Sequence, residues 1–234
     1  MVDFSHNHLG FVLKLSEIKK RIFISKYYNP EIARRLNELK ATHHLIHFED
    51  LLKEGHLSIS TGHEIGKMAY GTGFIPFIRT SDISNWEIKT DPKQGVSQEI
   101  YDEYSSKQDV HAGDIFFVKD GTYLIGQSCF ITENDLPCLY QSHIFKIRIN
   151  PNSPISSLLF FICLNSPIVK KQIRSKQFTA DIIDTIGNRI RELVLPIPKN
   201  ANLLKKLISE LKEILKERID LKEKIKKYHF GHNN

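Results

Sequence analysis

The sequence predicts an α+β chain: a twisted, mainly antiparallel sheet with flanking helices, followed by a long C-terminal coiled-coil helix. Three observations carry this. Four runs rich in β-branched and aromatic residues, at 74–78, Ile115–Val118, 124–132 and Ile144–Ile149, are each bounded by Gly, Asp, Asn or Pro. Apolar residues at helical spacing fill 155–178, interrupted at Asn165-Ser166-Pro167 because proline disfavours helix at the residue before it. From 201 onward two apolar lines repeat every seven residues through four heptads.

In chain order, residues 11–28 mix alternating and helical spacing (Phe11, Leu13, Leu15, then Ile18, Ile22) and read as a strand or turn passing into irregular structure. Asn29-Pro30-Glu31 supplies a cap, a proline for the first helical position and an early acid, so a helix follows over about 30–41. Residues 47–53 add a helical turn or two, stopped by Gly55. Glycines at 55, 62, 66, 71 and 73 mark 56–73 as loop with short extended pieces. Ser97 with Glu99 opens a short helix within 96–104, and His111-Ala112-Gly113-Asp114 turns into the next strand. The proline break gives two consecutive helices in 155–178, then 179–189 is a polar loop with helical hints and 190–198 a strand ending in Pro-x-Pro. The expected divisions are an extension at 1–44 with one helix, a folded domain at 45–198, a helix at 199–228 and a disordered tail at 229–234.

In the last helix Leu204, Leu211, Arg218 and Ile225 form one line, and Leu207, Ile214, Leu221 and Tyr228 another. Its other faces are Lys and Glu. A narrow apolar stripe gains little on an isolated helix. Either a coiled-coil partner covers it, making a homodimer in which Arg218 fixes register or meets an acid across the interface, or the helix packs on its own domain.

With 41% hydrophobic residues, the 234-residue chain can build a core without staples. Cys129, Cys138 and Cys163 stand singly, without the close pairing of zinc or redox motifs, and are expected to be reduced and mostly buried. His43, His44 and His47 lack the Glu of a helical zinc motif. The net charge of +6 divides into +4 over 1–44, −3 over 45–198 and +5 over 199–234. The folded domain is slightly acidic, so bulk charge does not argue for nucleic acid, and a basic face would have to arise by folding. No run approaches the ~18 apolar residues of a membrane span, and 1–10 lack the layout of a secretory leader, so the expected location is the cytoplasm.

No catalytic or metal-binding set is expected. The Asn165-Ser166-Pro167-Ile168 stretch has the wrong second residue for an adenine methyltransferase loop, and no phosphate loop occurs. A metal-dependent nuclease could draw on Asp82, Glu87 and Lys89, but five residues leave little room for two strands meeting at a metal.

Three stretches carry a resemblance. They are Ile75-Pro76-Phe77-Ile78-Arg79-Thr80-Ser81-Asp82-Ile83, then Ala112-Gly113-Asp114-Ile115-Phe116-Phe117-Val118-Lys119-Asp120-Gly121-Thr122-Tyr123-Leu124-Ile125-Gly126, and Glu192-Leu193-Val194-Leu195-Pro196-Ile197-Pro198. In order and spacing they resemble the target-recognition domain and exit into the spacer helix of type I restriction–modification specificity subunits, across about 45–228. The resemblance implies a non-catalytic subunit that reads double-stranded DNA and docks an adenine methyltransferase subunit and a restriction/translocase subunit. Any S-adenosylmethionine, magnesium or ATP belongs to those partners, and the chain itself takes no cofactor. The family carries two recognition domains and two spacer helices that pair antiparallel. One of each is present here, which implies a half-subunit reading one half of a bipartite target and pairing through 201–228, or a fragment or paralogue of the full form. A subunit that competes for the methyltransferase without reading sequence is the alternative.

Base edges are read by Arg, Lys, Asn, Gln, Ser and Thr on loops held by a rigid sheet. Three surfaces fit. Arg79, Thr80, Ser81 and Asp82 offer a bidentate donor to guanine, or simply a turn in which Arg79 meets Asp82. Lys119, Asp120, Gly121, Thr122 and Tyr123 place a glycine beside a basic and an aromatic group, with Tyr123 alternatively a core residue. The third combines Gln141, Ser142 and His143 with Arg174, Lys176, Gln177, Asn188 and Arg189, where the helical cations suit phosphates or form a solvated face.

Overall fold

The computed structural model describes residues 10–19, 21–121, 123–180 and 183–230. The helices are α1 (Pro30–Leu39), α2 (Phe48–Lys53), α3 (Gln98–Gln108), α4 (Ser157–Leu164), α5 (Pro167–Lys176) and α6 (Ala201–Phe230). The strands are β1 (His43–His47), β2 (Leu57–Thr61), β3 (Ile75–Ile78), β4 (Ile83–Ser84), β5 (Glu87–Ile88), β6 (Gly95–Val96) and β7 (Ile115–Val118). They continue with β8 (Ser128–Phe130), β9 (Leu139–Tyr140), β10 (Ile144–Ile149), β11 (Phe178–Ala180), β12 (Ile183–Thr185) and β13 (Val194–Pro198). No described helix is long and apolar enough to cross a membrane.

The central sheet is antiparallel in the order β2-β10-β7-β8, with Phe145 opposite Thr61 and Ile144 opposite Val118. Beside it β3 pairs antiparallel with β6 and parallel with β9. All four residues of β7 are buried, as expected of a strand covered on both faces. Because successive side chains point to opposite faces, Ile115 and Phe117 join the cluster of Phe160, Phe161 and Leu164 on α4, whereas Phe116 and Val118 pack with Ile78, Tyr140 and Ile144. The mixed architecture with antiparallel sheets and a long C-terminal helix agrees with the sequence.

Several elements differ from the sequence reading. Of the two alternatives for residues 11–28 the turn is the one found, as 3-10 turns at Leu15–Glu17 and Ser25–Tyr28, with no strand among the described residues. Val12, Leu15 and Phe23 stay exposed, so this segment finds no sheet edge to extend. The boundary at 44/45 falls inside β1, which pairs antiparallel with β13, His43 opposite Pro198. In 56–73 a full strand, β2, emerges, because it borders β10 and pairs from Leu57 to Thr61. The polar loop at 179–189 contains the β11–β12 hairpin. Helix α6 continues through Phe230 into the expected tail, whose residues 231–234 lie outside the described ones.

Helix α6 packs on its own domain. Leu211 is 4% exposed within the main core, and Leu204, Ile208 and Leu215 lie against it. Those positions follow the three-and-four spacing of a helix laid on a surface, while Leu207, Ile214 and Leu221 follow the seven-residue spacing. The two patterns share the helix on adjacent faces, and the second faces outward: Ile214, Leu221 and Ile225, with Leu203, are exposed and Leu207 partly so. Arg218 corrects the seam reading, since its Nη1 donates to the Asn85 carbonyl of the same domain at 2.5 Å. Tyr228 lies in the helix, and its side chain is outside the description.

Candidate nucleic-acid interface

Loops distant in sequence meet at one end of the sheets, where β2, β3, β7 and β9 finish and β10 begins. Backbone hydrogen bonds fix them there. The Gln141 amide donates to the Ile78 carbonyl at 2.9 Å, Lys119 to His143 at 3.0 Å, Ile186 to Lys119 at 3.0 Å and Gly121 to Asp184 at 3.0 Å. The segments carrying Arg79, Lys119, Gln141 and Asn188 thus form one bonded assembly. Chain density there is high: a Cβ on Gly62 would lie 2.2 Å from the Tyr140 carbonyl oxygen, so only glycine fits.

At its centre Asp120 accepts from Lys119 Nζ at 2.7 Å, and its Oδ2 lies 3.0 Å from His143 Nδ1. Burial alone would raise the Asp120 carboxyl. Hydrogen bonds from Lys119, Thr185 and His143 more than offset this and hold it below the usual carboxylate range. Ser142 Oγ donates to Glu64, which also stands 4.0 Å from His143 Nε2. Tyr123 is 92% exposed and therefore not a core residue; Thr122 lies outside the described residues. Gly121 adopts φ +116°, a conformation open to glycine.

The Arg79 turn is bonded within itself. Asp82 is fully buried and its Oδ2 accepts the Arg79 amide at 2.9 Å, so Asp82 cannot reach a base edge. Thr80 and Ser81 stay partly exposed beside it. The Arg79 guanidinium lies 5.7 Å from the Tyr70 ring centroid, a stacking position. Two short strands follow Asp82. β4 and β5 form a hairpin through Asn85 and Trp86, both at positive φ as a two-residue turn requires. Glu87 lies 3.3 Å from Lys222, and no described His, Cys, Asp or Glu cluster could hold a metal.

On the third surface the cations separate into two kinds. Arg174 is exposed on α5, and Asn188 is exposed after β12. Lys176 instead reaches Glu192 at 3.2 Å and lies 4.6 Å from the Tyr27 ring centroid, with burial pushing its pKa down. Arg189 is spent on the fold: Nε donates to the Lys176 carbonyl at 2.6 Å and Nη2 to Thr185 at 2.7 Å, and burial lowers its pKa. Gln177 is partly exposed at the end of α5.

Sequence reasoning missed His63, Glu64 and Gln108. His63 forms a parallel bridge with Gln141. The buried Gln108 side chain donates to the Tyr140 carbonyl at 3.0 Å and accepts from its amide at 2.8 Å, taking the place of a neighbouring strand. Gly62 amid polar residues was the available signal for the first two. Nothing local distinguishes Gln108 from other helix-end glutamines.

The fold and this edge define a mixed α/β domain that gathers polar loops at one end and carries one long helix along its side. No protein-family model and no curated protein matches the chain. Several solved structures are similar in chain path, three of them as follows. A chain described under "Structural basis underlying complex assembly and conformational transition of the type I R-M system" is 12% identical, with a TM-score of 0.49, covering 85% of this chain and 47% of that one. The type I restriction–modification S subunit from M. genitalium is 13% identical, with a TM-score of 0.49 and coverage of 81% and 43%. The HsdS subunit from Thermoanaerobacter tengcongensis is 12% identical, with a TM-score of 0.47 and coverage of 77% and 39%. This chain spans less than half the length of each.

Proposed function

We propose that the chain is a non-catalytic DNA-recognition subunit of type I restriction–modification character, reading one half of a bipartite target and docking a methyltransferase. The observation that carries it is the gathering of the 79–82, 119–121, 141–143 and 184–186 segments at one edge of a rigid sheet. Loops held this way can present donors and acceptors to base edges, which reading requires. The ordered motifs in the sequence supply the family character.

The proposed contact set is narrower than residue type alone suggests. Arg79, Tyr123, Gln141, Arg174 and Asn188 are the groups best presented, whereas Asp82 and Arg189 hold the scaffold. A second copy is the partner proposed for the outer face of α6. Its five aliphatics are symmetric about Ile214, Leu207 mirroring Leu221 and Leu203 mirroring Ile225, as an antiparallel pair of identical helices requires.

One observation favours the rival, a subunit that occupies the methyltransferase without reading. Lys119, Lys176 and Arg189 are already engaged inside the domain. Sequencing methylated adenines in cells with and without this chain separates the two. A new methylated sequence carried by the chain supports reading, and an unchanged set sinks it.

A further inference from the structure

The reading proposed above leaves open what sets the angle of the Arg79 turn. Within that turn Arg79 Nε and Asp82 Oδ1 are buried and find no hydrogen-bond partner among the described residues. The backbone bonds of the turn are closed between Arg79 and Asp82, so it moves as one unit and takes its placement from the element continuous with it.

That support is the β4–β5 hairpin. Ile83 pairs with Ile88, and the Lys89 amide donates to the Asp82 carbonyl at 2.9 Å, so the hairpin continues the turn. The hairpin is itself strained: Trp86, which has a Cβ, sits at φ +72°, and such residues persist only where surroundings over-determine them. The surroundings are visible. The Trp86 ring stands edge-on to Phe161 of α4 at 5.4 Å, and its carbonyl accepts from Phe130 at 3.3 Å. From the other side α6 grips both ends of the hairpin: Arg218 Nη1 donates to the Asn85 carbonyl at 2.5 Å and Lys222 Nζ to the Ile88 carbonyl at 2.6 Å. Lys222 also lies 3.3 Å from Glu87 and 4.0 Å from Asp135, and Asn134 donates to Glu223 at 2.9 Å.

We propose that Arg218 and Lys222 are positioning residues for sequence discrimination: through the 85–88 hairpin they transmit the placement of α6 to the Arg79 turn. Neither side chain belongs to the reading edge. The path runs from helix to hairpin carbonyls, across the β4–β5 pairing, to the Asp82 carbonyl and the Arg79 amide that Asp82 Oδ2 holds. Whatever docks on α6 therefore acts on the same element that orients a reader of bases.

The test uses the full chain, the target read from methylome sequencing, and a scrambled duplex of equal length. Binding of the parent to both comes first; a parent that does not prefer its target overturns the reading of the edge, and this inference with it. In Arg218→Met/Lys222→Met the target-to-scrambled affinity ratio should fall roughly 2- to 30-fold, the range of coupling through contact networks. The ratio cancels the general loss of two positive charges. Amide exchange over 79–89 should quicken in the same variant, and Arg218→Lys, which can still donate, should recover part of the ratio. Unchanged exchange over 79–89 overturns the proposal, as does faster exchange with an unchanged ratio while the parent reads its target.

Discussion

Leu221→Ala tests the outer face of α6 most directly. Burying a whole leucine side chain contributes roughly 1.5–3 kcal/mol. Leu221 exposes 58% of its surface in the single chain, so covering it releases roughly 1–1.5 kcal/mol per copy. In a two-fold pair the substitution appears twice. Allowing for the surface alanine still buries, the dimer should lose about 2 kcal/mol, which raises its dissociation constant roughly 30-fold. Sedimentation equilibrium over a concentration series measures that constant. Thermal unfolding of the monomer should not move, because Leu221 makes no part of the domain's core. A parent chain that stays monomeric at high concentration, or a variant with unaltered association, refutes the reasoning.

Leu211→Ala should behave oppositely, destabilising the domain by about 2–5 kcal/mol in chemical denaturation, because it removes methyls from a packed core. Asp114→Ala should cost about 1–3 kcal/mol in chemical denaturation, since it removes a buried carboxylate that accepts from Arg148 at 2.7 and 2.8 Å and leaves Arg148 to its remaining pair with the more exposed Asp109. Lys170 titrates near 8 because burial disfavours its charged form, with Arg174 adding to the effect. Its folded pKa lies below the unfolded one, so the parent loses stability as pH falls from the usual lysine range to about 8. Denaturation of Lys170→Met and parent should therefore diverge in the variant's favour over that window, and parallel curves would count against the burial account. Gly62→Ala should displace 140–143 and lower both stability and DNA binding, because its Cβ has no space beside two carbonyl oxygens; crystallography or amide exchange over that segment reads the shift.

Much of the fold was legible because its signals are local. Ile115–Val118 and Ile144–Ile149 announce themselves by β-branched and aromatic runs, Asn29-Pro30 announces α1, and Pro167 announces the break between α4 and α5. What escaped depends on partners far along the chain. β1 is a strand because β13 returns beside it some 150 residues later, and β2 because β10 does. The heptads of α6 conceal a second periodicity: both faces are apolar, and only the position of the domain decides which is covered first. At the site, residue type suggested Lys119 and Arg189 as readers. Type alone cannot show that an adjacent Asp120 or a nearby carbonyl has already taken the cation.

The β1–β13 pairing also bears on how such a domain can be exchanged. His43 stands opposite Pro198, so the chain enters and leaves the sheet domain on neighbouring strands, separated by about 5 Å. A segment whose two ends lie this close can be cut out and replaced by another of different length without moving either flank. Helices α1 and α6 would keep their points of attachment while the segment between them changed as a single cassette.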